Sequence, residues 1–233
     1  MIVLGIDSSS VSGSCAVLED GMVLAQGLIH NGLTHSQTLL PLLADTLRQA
    51  DRPVSLIDLI AVVNGPGSFT GLRIGLATAK GIAAVRHTPC IGISSLEAAA
   101  YGARDFKGLL CPVMDARCGQ VYNALFTSDG QTITRLCPDR ALPLTQLQQQ
   151  LAKQSLPVLL VGDGTQLCYQ SFQSVLPAVQ AAEGDRQYIS GAAVAQLGIL
   201  YAKQACNPAA LQPVYLRLPQ AQRELLKKQT DSK

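Results

Sequence analysis

The feature that most constrains this chain of 233 residues is an internal duplication. Residues 2–27 and residues 109–136 share one order of segments: an apolar run that ends in an aspartate, a small polar loop, and two further apolar runs separated by an Asp-Gly pair. The aspartates are Asp7 in the first copy and Asp115 in the second. Because Asp-Gly between apolar runs favours a tight β-hairpin, each copy predicts a three-stranded meander.

Both meanders are predicted to turn at their Asp-Gly pairs, Asp20-Gly21 and Asp129-Gly130. Each is followed by alternating segments with helical and strand-like hydrophobic patterns. A duplicated meander with this continuation is typical of the ribonuclease-H-like fold, the architecture of actin and hexokinase. We therefore predict an α/β protein with two actin-like lobes, the second of them abridged.

The predicted boundaries divide the chain into an N-terminal lobe at residues 1–104, a C-terminal lobe at 105–217 and a flexible charged tail at 218–233. The hydrophobic content of 48% is enough to fill a core at this length. Within the first lobe, apolar periodicity predicts helices over residues 35–50 and 68–85.

Composition excludes several classes of protein. The net charge is only +2 and the basic residues are scattered, so a charged stripe for a nucleic-acid backbone is not expected. No apolar stretch approaches the roughly 20 residues that span a bilayer, and the N-terminus lacks the pattern of a signal peptide. The seven cysteines are widely spaced, which favours reduced, mostly buried thiols over a zinc knuckle. We expect a cytoplasmic protein without membrane contact.

Residues 64–81 form the most unusual segment, NGPGSFTGLRIGLATAKG. Gly71, Gly75, Ala79 and Ala83 recur at every fourth position, which leaves one face of the predicted helix almost without side chains. Such a face suits close approach by another helix. It suits close packing against the chain's own sheet equally well, and the spacing leaves both readings open.

The turn before this helix is a candidate phosphate site. Ser68 is a predicted N-cap, and exposed amides at a helix start attract anions. Gly71 is followed by Leu72 where a Walker A loop requires lysine, so that motif is excluded. The same turn also fits a cap without a ligand. The possible nucleotide or phosphate contacts are Asp7, Ser8, Ser9, Gly65, Gly67 and Ser68.

The sequence offers no catalytic constellation of its own. His30, His35 and His87 include no pair four apart on a predicted helix. No serine lies in a GxSxG elbow, and no Cys/His arrangement is suggested.

The motifs are nevertheless specific enough to indicate a family: the chain resembles the TsaB (YeaZ) family of tRNA threonylcarbamoyladenosine biosynthesis. The resemblance runs nearly end to end and departs most over residues 137–187. It rests on GIDSSS, HSQTLLPLL, NGPGSFTGLRIGLATAKG, GISSLEAAA, MDARCGQVY and PVYLR, at residues 5–10, 35–43, 64–81, 92–100, 114–122 and 213–217.

The resemblance implies a non-catalytic subunit. The paralogous enzyme TsaD holds a metal through an HxxxH pair, and the matching positions here are Ser95 and Ala99. The implied role is to bind and activate TsaD, together with TsaE. TsaD then transfers a threonylcarbamoyl group to the adenosine next to the anticodon in tRNAs that read codons starting with A. ATP or ADP and a metal would come from partner subunits, and tRNA would be reached only through the complex.

In this family the first two helices of the first lobe contact TsaD, and the same surfaces pair as a homodimer when the subunit is alone. On that basis, Gly75→Leu is expected to keep the fold and block TsaD binding. The implied interface residues are His35, Leu39, Leu42, Leu43, Leu47, Gly71, Leu72, Gly75, Leu76 and Ala79.

Two other functions compete with this one. An ATP-dependent small-molecule kinase or nucleotidase of the actin-like superfamily would use Asp7, Asp115 and the loop at residues 65–68 as phosphate elements. A metallopeptidase-like protein is disfavoured, because a metal pair and a nucleophile are both missing from the sequence.

Overall fold

The computed structural model describes residues 1–217. Its first sheet has the strand order β3-β2-β1-β4-β5. The first three strands form the predicted antiparallel meander, and β4 and β5 run parallel to β1. The strands are β1 (Ile2–Asp7), β2 (Gly13–Glu19), β3 (Met22–Ile29), β4 (Leu59–Gly65) and β5 (Cys90–Ser94).

The second sheet repeats this order with a broken meander. Strands β7 and β8 both pair antiparallel with β6. Strand β10 pairs with β7, and β9 pairs with β8. Strand β11 runs parallel to β6, and β12 runs parallel to β11. The repeated order confirms the predicted duplication. The strands are β6 (Gly108–Asp115), β7 (Gln120–Asn123), β8 (Phe126–Ser128), β9 (Ile133–Arg135), β10 (Arg140–Pro143), β11 (Val158–Val161) and β12 (Val179–Ala181).

The helices complete a layered architecture with three apolar clusters. Helices α1 and α2 cover the outer face of the first sheet, and α4 and α5 cover the outer face of the second. Helices α3 and α6 lie between the sheets and share a cluster with both. The helices are α1 (His35–Gln49), α2 (Phe69–Ala84), α3 (Ser95–Gly102), α4 (Leu144–Leu151), α5 (Thr165–Phe172) and α6 (Gly191–Leu200).

The two predicted helices of the first half are confirmed. Helix α1 begins with a capping box between Thr34 and Gln37, and it continues through Pro41 without ending. Helix α2 begins after Ser68, whose hydroxyl accepts a hydrogen bond from the amide of Gly71 at 3.3 Å. Ser68 is therefore the N-cap, as predicted.

The two Asp-Gly pairs form different turns. Asp20 and Gly21 have φ angles of 48° and 83° and make the expected two-residue hairpin. In the second copy, Ser128 pairs with Ile133, so the predicted turn at Asp129-Gly130 is present but lies in a longer loop, residues 129–132. The Asp129 carboxylate stabilises this loop by accepting hydrogen bonds from two of its amides.

Helix α6 connects the two halves. It belongs to the predicted C-terminal lobe at residues 105–217, yet it packs on β1, β2 and β4 of the first sheet. A Cβ atom added at Gly5 would lie 2.1 Å from the carbonyl oxygen of Gly191, so strand and helix touch through their backbones. The lobe boundaries themselves stay a prediction.

A polar cluster also joins the halves. The Arg135 guanidinium pairs with Glu97 at 3.0 Å and with Asp139 at 2.6 Å. The Tyr201 hydroxyl donates to Glu97, and the Ser94 hydroxyl donates to Asp139, each at 2.6 Å. Glu97 of the first half is therefore held by two residues of the second half, whereas Asp139 of the second half has one partner from each. Over residues 1–217, none of the helices has the length and apolar character that crossing a membrane requires.

Candidate functional site

A cleft of about 580 Å³ opens between the two halves, where β1, β6 and β11 end. The duplication explains this position, because the carboxyl ends of equivalent strands face each other across it. Its walls include Ser9, Gly67 and Ser68 from the first half, Asp115 and Asp163 from the second, and the arginines Arg73, Arg117 and Arg217.

The wall from the first half is a single packed unit. The Ser68 amide donates to the carbonyl of Ser9 at 2.7 Å, and the Ser8 hydroxyl donates to the carbonyl of Gly71 at 2.9 Å. A Cβ atom at Gly67 would lie 2.4 Å from the Ser9 carbonyl oxygen, so the close approach requires glycine. The polar loop after β1 is thus fastened to the turn that starts α2.

The predicted phosphate contacts divide into two groups. Ser9, Gly67 and Ser68 line the cleft. Asp7 and Ser8 are buried, and the backbone of Gly65 packs against the Val214 carbonyl rather than facing the cleft. Contact with a ligand stays a prediction for all six residues.

Two carboxyls at the cleft have raised pKa values: Asp163, which lines the cleft, and Asp7, which is buried behind its wall. The Asp7 Oδ1 atom accepts hydrogen bonds from the Ser9 amide at 2.9 Å and the Ser9 hydroxyl at 2.6 Å. Burial raises the pKa of Asp7 to about 6 against the opposing effect of these bonds. Burial also raises the pKa of Asp163 to about 6, and the charges of Asp115 and Asp7 add to the rise. Within the described residues, Asp7 Oδ2 and Asp163 Oδ1 make no hydrogen bond.

Sequence reasoning missed Asp163 as a site residue, although the duplication carried a signal for it. The turn Gly65-Pro66-Gly67-Ser68 at the end of β4 corresponds to Gly162-Asp163-Gly164-Thr165 after β11. The first glycine of each turn has a positive φ, 139° and 100° respectively. The three arginines of the cleft come from separate elements, so no local pattern indicates them.

The last described residues close one side of the cleft. The ring of Tyr215 stacks on Phe69 with centroids 3.9 Å apart, and Arg73 Nε donates to the Tyr215 hydroxyl at 3.0 Å. Arg217, two residues further along, donates to the carbonyl of Ala116, which lies on the other side of the cleft from Phe69. This segment therefore bridges the two halves beside the cleft.

The residues present do not fit a metal site. Among residues 1–217, no group of three or more His, Cys, Asp or Glu side chains is placed to hold an ion. The cleft volume suits a small molecule, but Asp115 and Asp163 would repel phosphate groups next to the arginines.

The predicted interface residues of α1 lie inside the chain. Leu39, Leu42, Leu43 and Leu47 are buried in the cluster between α1 and the first sheet. His35 is half-buried, and its Nε2 atom lies 2.8 Å from the carbonyl oxygen of Ser10, within hydrogen-bonding distance. These side chains hold the helix on the sheet.

The small-residue face of α2 also packs within the chain. It is therefore not available to a partner helix, contrary to the interface expected there. A Cβ atom at Gly71 would lie 2.0 Å from the Ser8 carbonyl oxygen, and one at Gly75 would lie 2.4 Å from Ser8 Oγ. Gly75→Leu would therefore disturb the fold. The remaining predicted positions of this helix, Leu72, Leu76 and Ala79, are fully or almost fully buried. That the two helices bind a partner stays a prediction.

A different face of the two helices is accessible. We define the outer helix surface as Leu40 and Ala44 of α1 with Ala77 and Gly81 of α2, all of which are exposed. Leu40 is 58% exposed. A Cβ atom at Gly81 would have no atom within 4 Å, so the space above this glycine is open.

Comparison with known proteins gives consistent results. The family model described as TsaD, tRNA N6-adenosine threonylcarbamoyltransferase, matches residues 32–224. The tRNA threonylcarbamoyladenosine biosynthesis protein TsaB of Bacillus subtilis is 32% identical, over 98% of this chain and 100% of its own length. A tRNA N6-adenosine threonylcarbamoyltransferase of Protochlamydia amoebophila is 35% identical, over 44% of this chain and 35% of its own length.

The structure of YeaZ from Pseudomonas aeruginosa superposes with a TM-score of 0.71 at 23% identity, covering 92% of this chain and 99% of that one. This likeness confirms the predicted fold. The alignment with TsaB covers nearly the full length of both proteins, whereas the alignment with the transferase covers less than half of either. The chain therefore belongs to the family described by the TsaD model and, within it, to the TsaB (YeaZ) proteins.

Proposed function

We propose that this chain is a non-catalytic subunit in tRNA threonylcarbamoyladenosine biosynthesis that binds and activates TsaD together with TsaE. The observation that carries the proposal is the match over the whole length of the TsaB of Bacillus subtilis. The reaction it supports is threonylcarbamoyl transfer to the adenosine next to the anticodon, in tRNAs that read codons starting with A. The subunit would act in the cytoplasm and meet tRNA only through the complex.

The positions of the family's HxxxH pair support a non-catalytic role. Ser95 and Ala99 lie one turn apart on α3, and both are buried. The Ser95 hydroxyl donates a hydrogen bond to the carbonyl of Pro66, so its role is to hold the turn before α2. A methyl group and a hydroxyl engaged in this way cannot replace two imidazoles. In this proposal the metal and the ATP or ADP belong to the partner subunits.

The outer helix surface is the proposed TsaD contact. Small side chains at Ala44, Ala77 and Gly81 let a partner helix approach closely, and Leu40 offers apolar area to bury. The surface lies on α1 and α2, the two helices that the family resemblance implies as the TsaD contact. It consists of their solvent-exposed residues rather than the buried ones predicted from the sequence. Without TsaD, the same surface would join two copies of the chain about a twofold axis.

Gly81→Leu tests this surface. The new side chain meets open space in the free chain, and leucine favours a helix over glycine by about 1 kcal/mol, so thermal stability should hold or rise. In a close-packed complex the same side chain would collide with the partner. We expect TsaD affinity, measured by calorimetry with the homologue from the same genome, to fall at least about tenfold.

The matched control is Gly102→Leu at the end of α3. This glycine is also exposed with no atom within 4 Å of an added Cβ, but it lies away from the outer helix surface. It should bind TsaD as the unmodified chain does. Unchanged affinity in Gly81→Leu would refute the surface. Failure of the unmodified chain to bind TsaD or to stimulate threonylcarbamoylation would refute the function.

A second candidate is an ATP-dependent kinase or nucleotidase that would use Asp7 and Asp115. The cleft supports it through size alone, because Asp115 and Asp163 would repel phosphate groups. The cleft volume of about 580 Å³ is within the range of small-molecule sites. Calorimetry of the isolated chain with ATP and magnesium separates the candidates. Micromolar binding, with hydrolysis that disappears in Asp7→Asn, would favour the enzyme over the accessory subunit.

A further inference from the structure

Cys90 and Cys206 lie opposite each other although they are far apart in the sequence. They form an isolated antiparallel bridge in which the Cys90 amide donates to the Cys206 carbonyl at 3.0 Å and the Cys206 amide donates back at 2.8 Å. Residues that exchange both bonds hold their Cα atoms about 5.5 Å apart. Disulfides span Cα distances of about 4.4 to 6.8 Å, so this backbone geometry admits a covalent bond.

The two thiols also share one environment. Both side chains pack into the apolar cluster between the first sheet and helices α1 and α2. Cys90 is fully buried, whereas Cys206 is partly exposed. Burial raises the pKa of Cys90 to about 11, and the ammonium group of Lys80 opposes this rise. A small oxidant therefore reaches Cys206 first, and Cys90 is the thiol next to it.

We propose that Cys90 and Cys206 form a reversible intramolecular disulfide when the chain meets a hydroperoxide. The Cys206 sulfur attacks the peroxide O–O bond, becomes a sulfenic acid and releases one water. The Cys90 sulfur then attacks the sulfenic sulfur, the S–S bond forms and the S–O bond breaks, with release of a second water. The two thiols supply two protons and two electrons, and hydrogen peroxide becomes two waters. A small dithiol reverses the step by exchange.

The disulfide would fix a segment that borders the cleft. The chain after Cys206 returns to the turn before α2, where the Val214 amide donates to the Asn64 carbonyl at 2.7 Å. It then stacks Tyr215 on Phe69. Oxidation ties the start of this segment to β5, while its other end already rests on α2. The inference does not depend on the proposed function.

Peptide mapping tests the bond directly in the full chain. Trypsin releases residues 87–104 and residues 204–217, each of which contains a single cysteine. After hydrogen peroxide, alkylation of free thiols and digestion without reductant, we expect these two peptides to be joined and to separate with dithiothreitol. Cys90→Ser and Cys206→Ser should each remove the joined species. Cys118→Ser, at an exposed cysteine outside the bridge, should leave it unchanged.

A thermal measurement supplies a second readout. The bond closes a long loop, so the oxidised chain should melt at least about 5 °C higher than the reduced chain, and Cys206→Ser should not show the difference. The proposal is refuted if peptide 204–217 remains fully alkylated after peroxide. It is equally refuted if that peptide is recovered as sulfonic acid, or joined to a cysteine peptide other than 87–104.

Discussion

Two individual carboxyls, Asp7 behind the cleft wall and Asp163 on it, reduce the stability of the fold at neutral pH. Asp7 and Asp163 each have a pKa raised from 3.8 to about 6, with burial as the first cause. A carboxyl whose pKa rises on folding stabilises the fold only in its protonated form. That contribution is complete below pH 3.8 and is lost as the pH rises through about 6. Both residues therefore make the chain less stable at pH 7 than near pH 4, apart from the effect of other groups.

Asp7→Asn should reverse this loss at one position. The amide oxygen can still accept the hydrogen bonds from Ser9, and no charge remains to be buried. A rise from 3.8 to about 6 corresponds to about 3 kcal/mol, so we expect a gain of about 1 to 3 kcal/mol at pH 7.5 and little change near pH 4. Urea unfolding at both pH values measures it.

Asp129→Asn provides a control of opposite sign. Backbone hydrogen bonds from the loop before β9 lower the pKa of this exposed carboxyl, so its contribution is present at neutral pH and disappears as the pH falls. The variant should lose stability at pH 7.5. An Asp7→Asn variant that is also less stable at pH 7.5 than the unmodified chain would contradict the assigned pKa.

At the level of helices and strands, hydrophobic periodicity predicts which residues share a helix face, but it does not predict what that face packs against. The four-residue spacing identified the bare face of α2, and the same kind of pattern identified the leucine face of α1. A repeat specifies which residues share a face, but it does not specify which neighbour that face meets. In the structure, the bare face of α2 meets Ser8 on the loop after β1. Any partner surface on this helix is therefore expected on its opposite, solvent-exposed side.

Two glycine-to-alanine changes in α2 test this orientation. Gly71→Ala places a methyl group 2.0 Å from the Ser8 carbonyl oxygen, so the backbone must shift and we expect a loss of at least about 2 kcal/mol. Gly81→Ala gains helix propensity in open space and should add about 0.5 to 1 kcal/mol. Chemical unfolding of both variants gives the comparison. Equal effects would show that the helix is rotated differently on the sheet.

The elements that sequence reasoning did not predict have weak local signals. Helix α5 buries only Thr165, Cys168 and Phe172, too few apolar positions for a clear period. Strand β12 has only three residues, and the second strand predicted for the second meander is divided into β7 and β8 where Ala124 and Leu125 interrupt the pairing. Strong elements with caps, such as α1 and α2, were predicted to within one residue of their ends. The convergence of the cleft residues depends on long-range packing and was not predictable locally, apart from the repeated glycine turn.

At the scale of the whole molecule, the two halves share one core. The central apolar cluster contains residues of both sheets together with α3 and α6. Helix α6 is the last α-helix of the described residues, and its buried side chains, among them Val194 and Leu197, cover the first sheet. The first sheet is thus completed by residues that follow the entire second sheet. The polar cluster around Arg135 adds a second connection between the halves.

This arrangement predicts that residues 1–104 do not fold alone, although they contain a whole predicted lobe. Without α6, apolar side chains of β1, β2 and β4 that the full chain buries, such as Val3, Leu18 and Val63, would face water. The fragment should bind a hydrophobic dye and unfold without a cooperative urea transition, while the full chain unfolds in one transition by circular dichroism. A monomeric fragment with its own cooperative transition would show that the lobes are independent.

Gly198→Leu in the full chain tests the same connection between the halves. The added Cβ would lie 2.5 Å from the Cβ of Ala61, so the variant should destabilise the whole molecule rather than one half.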